Sequence, residues 1–440
     1  MTPEDIDAAR SLASARWEEW FPIEQPDATL ASWDPPLYVR GLGLVASFHL
    51  YAPTTYKGPH AQLVVVPAAR IDAAADALDE LKATLDRARA AGLVAAFGDD
   101  LKDTLKLAAA EPRPGLFAPD EATVARRAAA LAEMEARFDA VAARMREVYG
   151  LRLPRYMATF AALWRSLDDV ERKGAERLGR GPGGIMLWFE DDGLARRTLR
   201  DLDPRLECRF RCDPPELVTV MWGDSDGLHY GLWYDDPADP PTCVAHNYAR
   251  DSAETWRDEP PTPLAVLAAL AHERLHDPYN DEPPSLWVYA FAEAVAWFSD
   301  ADAAALALDP PAARWRSAPR IPTIGTFGPA LPEGAGSLRV GDPHARLKVY
   351  REQPQRARAW IAAALRDCAL GQPAAALTFG LDLHWLDRDD TRADALELLV
   401  CAYEALGRRA HAETIKVHYA HRDLASVGVY APPESPEPPE

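Results

Sequence analysis

The sequence predicts an α+β fold: a mixed or antiparallel sheet followed by a helical C-terminal half, with a small mixed α/β module in front. Three observations carry it. Short apolar runs bounded by Asp, Pro and Gly cluster between residues 184 and 247. Longer stretches with helical spacing fill 264–276, 285–299, 352–367, 377–386, 391–407 and 409–421. Strands and helices are therefore segregated along the chain rather than alternating, which disfavours a doubly wound parallel sheet.

Taken in order, residues 1–112 form the N-terminal module. Leu37 to Tyr51 is apolar and extended, Gln62 to Val66 is a short buried strand, and Ile71 to Ala91 has helical periodicity. The Glu111-Pro112-Arg113-Pro114-Gly115 stretch breaks the chain, and Asp120 to Tyr149 is a long helix capped by the Pro119-Asp120 pair. Residues 113–148 are thus a connector or packing helix, and 149–425 are the main body. Within it Pro154 to Ser166 is an amphipathic helix. Strands are expected at Gly184 to Glu190, Glu207 to Arg211, Leu217 to Trp222, Leu228 to Tyr234 and Thr242 to Asn247. The Pro/Glu-rich tail, 426–440, is expected to be disordered.

Charge narrows the function. The chain has 440 residues, 48% of them apolar, with 68 acidic against 48 basic side chains and a formal charge of -20. Such a surface repels nucleic acid and anionic membrane, so neither is an expected partner. No apolar run reaches the ~18 residues of a membrane span. The start, MTPEDIDAARSL, lacks a basic region followed by an apolar stretch, so no secretory signal is expected. Five scattered cysteines do not make a disulfide framework, and a reducing cytoplasm is the expected compartment.

Three constellations resemble chemistry. His272-Glu273-Arg274-Leu275-His276 fits H-E-x-x-H, in which two imidazoles four residues apart on a helix share a face and can ligate zinc. Glu293 is the candidate third ligand and Glu273 the base. Against it, Arg274 is charged and Asp277-Pro278 ends the helix at once, so an amphipathic helix end without metal is the preferred reading. Gly223-Asp224-Ser225-Asp226-Gly227 fits G-x-S-x-G, but an alternating strand pattern follows where a nucleophile elbow needs a helix. It reads as an Asp-Gly hairpin turn. Cys208, Cys212, Cys243 and His246 lack tight zinc spacing and read as core residues, the first two on one strand face.

From Asp213 onward the chain becomes recognisable. Asp213-Pro214-Pro215-Glu216, Gly223-Asp224, His229, Gly231, Asp235 with Pro237, and Asn247 form one block. LTFGLDLHWL, with Gly380 and Asp382, Ala402-Tyr403 and AETIKVHYAHR form another; YGLRLPRYMATFAALWRSL lies upstream. Together these resemble the histone PARylation factor family and its bacterial relatives, over roughly 149–425. The resemblance implies a factor that binds poly(ADP-ribose) polymerases and completes a shared site for serine ADP-ribosylation. It implies nuclear members in eukaryotes, a partner-contacting aromatic-Arg pair just before Asp235, and an acidic general base about ten residues before Gly380. Here the pair is Trp233-Tyr234, without the Arg, and Leu370 stands where the base is expected; Asp367 is the only carboxylate nearby. The expectation is a non-catalytic binding factor without cofactor, docking through Trp233, Tyr234 and Asp235 on an ADP-ribosyltransferase. A zinc hydrolase using the His272/His276 motif is one alternative. An immunity protein whose acidic surface neutralises a basic effector is another.

Overall fold

In the computed structural model, residues 119–276, 286–337 and 340–431 are described, along with the backbone of four strands nearer the N-terminus. The chain divides into two compact units. One comprises Met1–Val124, Leu167–Leu178 and Leu270–Ala296; the other comprises Ala125–Ser166, Gly179–Ala269 and Trp297–Glu440.

The first unit contains a four-stranded sheet in the order β1 (Leu37–Val39), β2 (Leu44–Tyr51), β3 (His60–Pro67) and β4 (Leu105–Leu107). The first two pairings are antiparallel and the last is parallel. The extended stretch predicted before Tyr51 and the strand at 62–66 are therefore present. The predicted helix over Ile71 to Ala91 and the break at 111–115 lie outside the described residues.

The long helix α1 spans Glu121–Tyr149 and starts as predicted, with Asp120 Oδ1 accepting from the Thr123 amide at 2.7 Å. One face is buried, through Met134, Phe138, Val141, Met145 and Tyr149 among others, so this is a packing helix. The helix α2, Tyr156–Ser166, is buried along almost its whole length.

The second unit is built on a five-stranded antiparallel sheet in the order β5 (Gly181–Pro182), β6 (Leu217–Trp222), β7 (Leu228–Trp233), β8 (Cys243–Tyr248) and β9 (Thr255–Arg257). A bulge at Val220 shifts the β6–β7 register. Every residue of β7 is buried, so the sheet is covered on both faces and its strands read as apolar runs rather than clean alternations. Of the helices, α3 (Asp169–Leu178), the second half of α4 (Pro263–His276) and nearly all of α5 (Leu286–Trp297) belong to the first unit, and α6 (Ser299–Leu308) to the second. Then come α7 (Pro343–Glu352), α8 (Pro354–Ala369), α9 (Ala374–Leu386), α10 (Arg392–Ala405) and α11 (Arg409–Ala420). Leu377, Leu398, Leu399, Tyr403 and Ile415 lie at the centre of the helical core.

Three expectations are corrected. Gly184 to Glu190 is not a strand: Gly184–Phe189 is a 3₁₀ helix whose Ile185, Met186, Trp188 and Phe189 are all buried. A short apolar run buried on all sides has no period to distinguish the two. Glu207 to Arg211 is not a strand either. Pro204 opens a 3₁₀ turn capped by Asp203, and Cys208 has φ +50°, which ends any extended pairing. Cys208 and Cys212 therefore share no strand face. Finally, residues 427–431 are hydrogen-bonded into the fold, while the rest of the tail, 432–440, lies outside the described residues. The Cys208 amide donates to the Val427 carbonyl at 2.7 Å and the Val429 amide to Glu207 Oε2 at 2.6 Å, so the chain is held as far as Ala431.

Candidate functional site

The corner after β7 is where the family-like residues concentrate. The Asp235 carboxylate is fully buried and accepts from five donors: both Arg320 Nη groups at 3.0 and 2.8 Å, the Ala330 amide at 2.7 Å, Thr242 Oγ1 at 2.7 Å and Trp233 Nε1 at 3.1 Å. That is a bidentate Arg pair completed by three further hydrogen bonds. The Arg320 guanidinium and these donors hold its pKa below the ordinary carboxylate value despite burial. Tyr234 is also fully buried, and its hydroxyl donates to the Arg152 carbonyl at 2.8 Å. The expected partner contacts Trp233, Tyr234 and Asp235 are thus interior groups with interior partners and present no docking surface. The reason is register: β7 is covered on both faces, and the chain turns inward at its end. Pro237, half-buried, follows in the turn.

Upstream, Asp213 is buried against His229. His229 Nδ1 lies 2.8 Å from the Gly227 carbonyl and Nε2 lies 3.1 Å from Asp213 Oδ1. Both ring nitrogens face acceptors, which favours the imidazolium. Desolvation opposes this, but Asp213 wins and the His229 pKa is raised. Pro214 and Pro215 are buried beside it, and Arg209 binds the carbonyls of Pro214 and Leu217 at 3.1 and 2.9 Å. Gly223 to Gly227 is the predicted hairpin turn. The Gly223 amide donates to the Leu228 carbonyl at 2.7 Å, and Asp226 and Gly227 have φ of +50° and +69°. Ser225 sits exposed in the turn, and Asp224 pairs with Arg180 at 3.1 Å. Gly231 is a close approach: a Cβ there would meet the Val218 carbonyl oxygen at 2.7 Å.

The C-terminal block closes on this region through two histidines. His384, on α9, has Nε2 3.0 Å from the Asp213 carbonyl oxygen, and its Nδ1 faces Arg422 at 2.8 Å. His411, on α11, has Nε2 2.9 Å from the Tyr234 carbonyl oxygen. Burial drives both imidazoles neutral, His411 down to about 3, so each donates from Nε2. Glu216 is fully buried. Its Oε1 accepts from Tyr403 of α10 at 2.7 Å, its Oε2 makes no hydrogen bond, and burial pushes its pKa up to about 7. Asp382, on α9, receives Arg346 Nε at 2.6 Å and the Ile324 amide at 2.9 Å. Gly380 lets α9 and α10 pack closely, since a Cβ would meet Leu399 Cγ at 2.8 Å.

The remaining candidates are described by their own surroundings. His272, Glu273 and His276 are exposed at the end of α4. The two rings stack at 4.2 Å, and His276 Nδ1 lies 2.8 Å from the His272 carbonyl oxygen. Glu293 is half-buried on α5. Asp367 is exposed on the last turn of α8, and Leu370, its C-cap, is 80% exposed. Three residues apart on a helix end, the two are surface neighbours.

Several important residues were not legible. Arg320, Arg346 and His411 carry no motif, and their roles emerge only from long-range contacts; Tyr403 belongs to the C-terminal block, but its partner Glu216 was not legible. His246, considered above as a zinc ligand, is instead paired through Nδ1 with Asp258 at 3.1 Å. It shares a row across the sheet with Tyr230 and the 46%-exposed Trp256. The residues flanking Asp258 give no pattern that would have found it.

The architecture is that of an α+β protein in which His229 at the start of β7 and Asp235 just past its end are each buried and hydrogen-bonded within the fold. Residues 196–257 match the family model described as histone PARylation factor 1. This segment runs through β6, β7 and β8 to β9 and contains Asp213, Gly223, His229, Gly231, Asp235 and Asn247, but not Gly380 or Asp382. No curated protein matches the chain. Among the described residues no helix is long and apolar enough to cross a membrane.

Proposed function

We propose that this protein is a histone-PARylation-factor-like binding protein that docks on an ADP-ribosyltransferase without supplying an acceptor base of its own. The match over 196–257 supports the factor-like role. The observation that carries the finer reading is Leu370. At the position where the resemblance implies a base, the chain displays an apolar side chain 80% exposed at the end of α8. Leu cannot take a proton from a serine hydroxyl, whereas an exposed large apolar group on a rigid helix end suits a protein contact. The formal charge of -20 favours basic protein substrates in the assembly and disfavours nucleic acid. A cytoplasmic location fits the sparse, thiol-form cysteines.

Binding to the catalytic domain of a poly(ADP-ribose) polymerase, measured by isothermal titration calorimetry, tests this. Saturable binding is expected, weakened about tenfold by Leu370→Ser and unchanged by Ser225→Ala. Absence of binding, or equal affinity for the Leu370 variant, contradicts the proposal.

A further inference from the structure

The helical core contains a chemical group that the proposed docking function does not use. Cys368 lies on the last turn of α8 and Cys401 in the second half of α10, 33 residues later. Their Sγ atoms are 2.6 Å apart. A covalent disulfide needs ~2.05 Å, so a small side-chain adjustment within two packed helices brings the sulfurs to bonding distance. The other three cysteines have different surroundings: Cys208 Sγ faces Glu207, Cys212 Sγ faces the Trp385 carbonyl, and Cys243 is buried on β8.

We propose that Cys368 and Cys401 form a reversible intramolecular disulfide on exposure to a low-molecular-weight disulfide such as oxidised glutathione. The two thiols differ in access, and this sets the order of events. Cys401 is half-buried, whereas Cys368 is 3% exposed and held protonated, its pKa pushed up to about 12 by burial and by its contact with Cys401. Cys401 therefore reacts first. Its thiolate attacks one sulfur of the oxidant, forming a mixed disulfide and releasing one glutathione thiolate. Cys368 then gives up its proton to water, and its sulfur attacks Cys401 Sγ, expelling the second glutathione. The balance is two protein thiols oxidised and one glutathione disulfide reduced to two thiols. The product ties the end of α8, which carries Leu370, to α10. The proposal stands whether or not Leu370 docks a partner.

The full chain, reduced and freed of reductant, is titrated with oxidised glutathione, quenched with N-ethylmaleimide and read by intact mass and non-reducing peptide mapping. The expected product has three alkylated cysteines of the five in the sequence and one cross-linked peptide joining Cys368 to Cys401. Its thermal unfolding midpoint should rise by roughly 5–10 °C, reversed by dithiothreitol. Cys401→Ser should abolish both effects, and if that variant does not fold, the wild-type peptide map decides alone. Five alkylated thiols at saturating oxidant, a stable glutathione adduct on Cys401 without closure, or a cross-link to another cysteine would each overturn the proposal.

Discussion

Asp235 and Asp382 are both buried aspartates paired with arginine in the same unit, yet their surroundings differ in one respect. Asp235 meets a guanidinium that is 24% exposed, and five donors saturate its two oxygens. Asp382 meets Arg346, only 1% exposed, with the Ile324 amide and the Tyr350 hydroxyl at 3.3 Å as its other donors. At the sheet corner the hydrogen bonds outweigh desolvation and the carboxyl pKa falls; in the helical half burial pushes it up. The comparison teaches that the family-like motif residues act as joints. Asp235 pins the end of β7 to the 320–330 segment, and Asp382 pins α9 to α7 and to the backbone at Ile324. Neither is free to do chemistry.

Removing one partner separates the two cases. Asp382→Ala strands a guanidinium with almost no access to water and should cost about 4–5 kcal/mol. Asp235→Ala leaves Arg320 able to reach solvent and should cost about 3 kcal/mol. Urea unfolding measures both, and a smaller loss at Asp382 than at Asp235 reverses the ranking.

The pH dependence sharpens the contrast between saturated and unsaturated acids. Glu216, with one oxygen unpartnered and its pKa pushed up to about 7, keeps a proton in the folded chain that it loses near 4.5 when unfolded. The Glu216 contribution therefore falls as pH rises through this window, by about 3 kcal/mol in all. The raised pKa of His229 acts in the same direction. Its contribution is complete below the ordinary value of 6.5 and is lost as pH rises through the folded value. Asp235 works oppositely, stabilising above 3.8 and losing its effect as pH falls through its lowered value. The buried neutral His384 and His411 work the other way, since their lowered pKa values add stability as pH rises toward the ordinary 6.5, so the Glu216 contribution is read as the difference between wild type and variant. Glu216→Gln should flatten the fall between pH 4.5 and 7. Parallel pH profiles for Glu216→Gln and the wild type between pH 4.5 and 7 would refute the Glu216 assignment.

Smaller effects follow from packing. Gly380→Ala forces Leu399 aside and should cost about 2 kcal/mol. Gly227→Val strains a positive-φ turn and should cost about 1 kcal/mol. His272→Ala, at an exposed helix end, should stay within about 0.5 kcal/mol, with less than one zinc per chain in the purified protein. One tightly held zinc lost in that variant would restore the hydrolase reading.

What the sequence made legible was local. The hairpin at Gly223–Gly227 follows from Asp-Gly turn chemistry, the cap at Asp120 from its position before an Ala-rich helix, and the strands β6 to β8 from apolar runs between breakers. What it hid was the identity of long-range partners. Asp235 finds Arg320 85 residues away, and Glu216 finds Tyr403 187 residues away. Burial hid the rest: Trp233 and Tyr234 have the composition of a docking pair, and only the covering of β7 on both faces makes them core. The same effect misled the reading of 184–190, where an apolar run buried all round folds as a 3₁₀ helix rather than a strand.

The central claim is that this chain can hold an ADP-ribosyltransferase but brings no base to the acceptor. The most direct test mixes the chain with a poly(ADP-ribose) polymerase, NAD and a histone peptide, and maps the linkage by mass spectrometry. The account predicts no serine-linked ADP-ribose from the wild type, and none from Leu370→Glu alone, because that substitution removes the side chain on which docking is proposed to rest. Serine-linked product from the wild type, lost in Asp367→Asn, would contradict it and make the exposed carboxylate beside Leu370 the catalytic base.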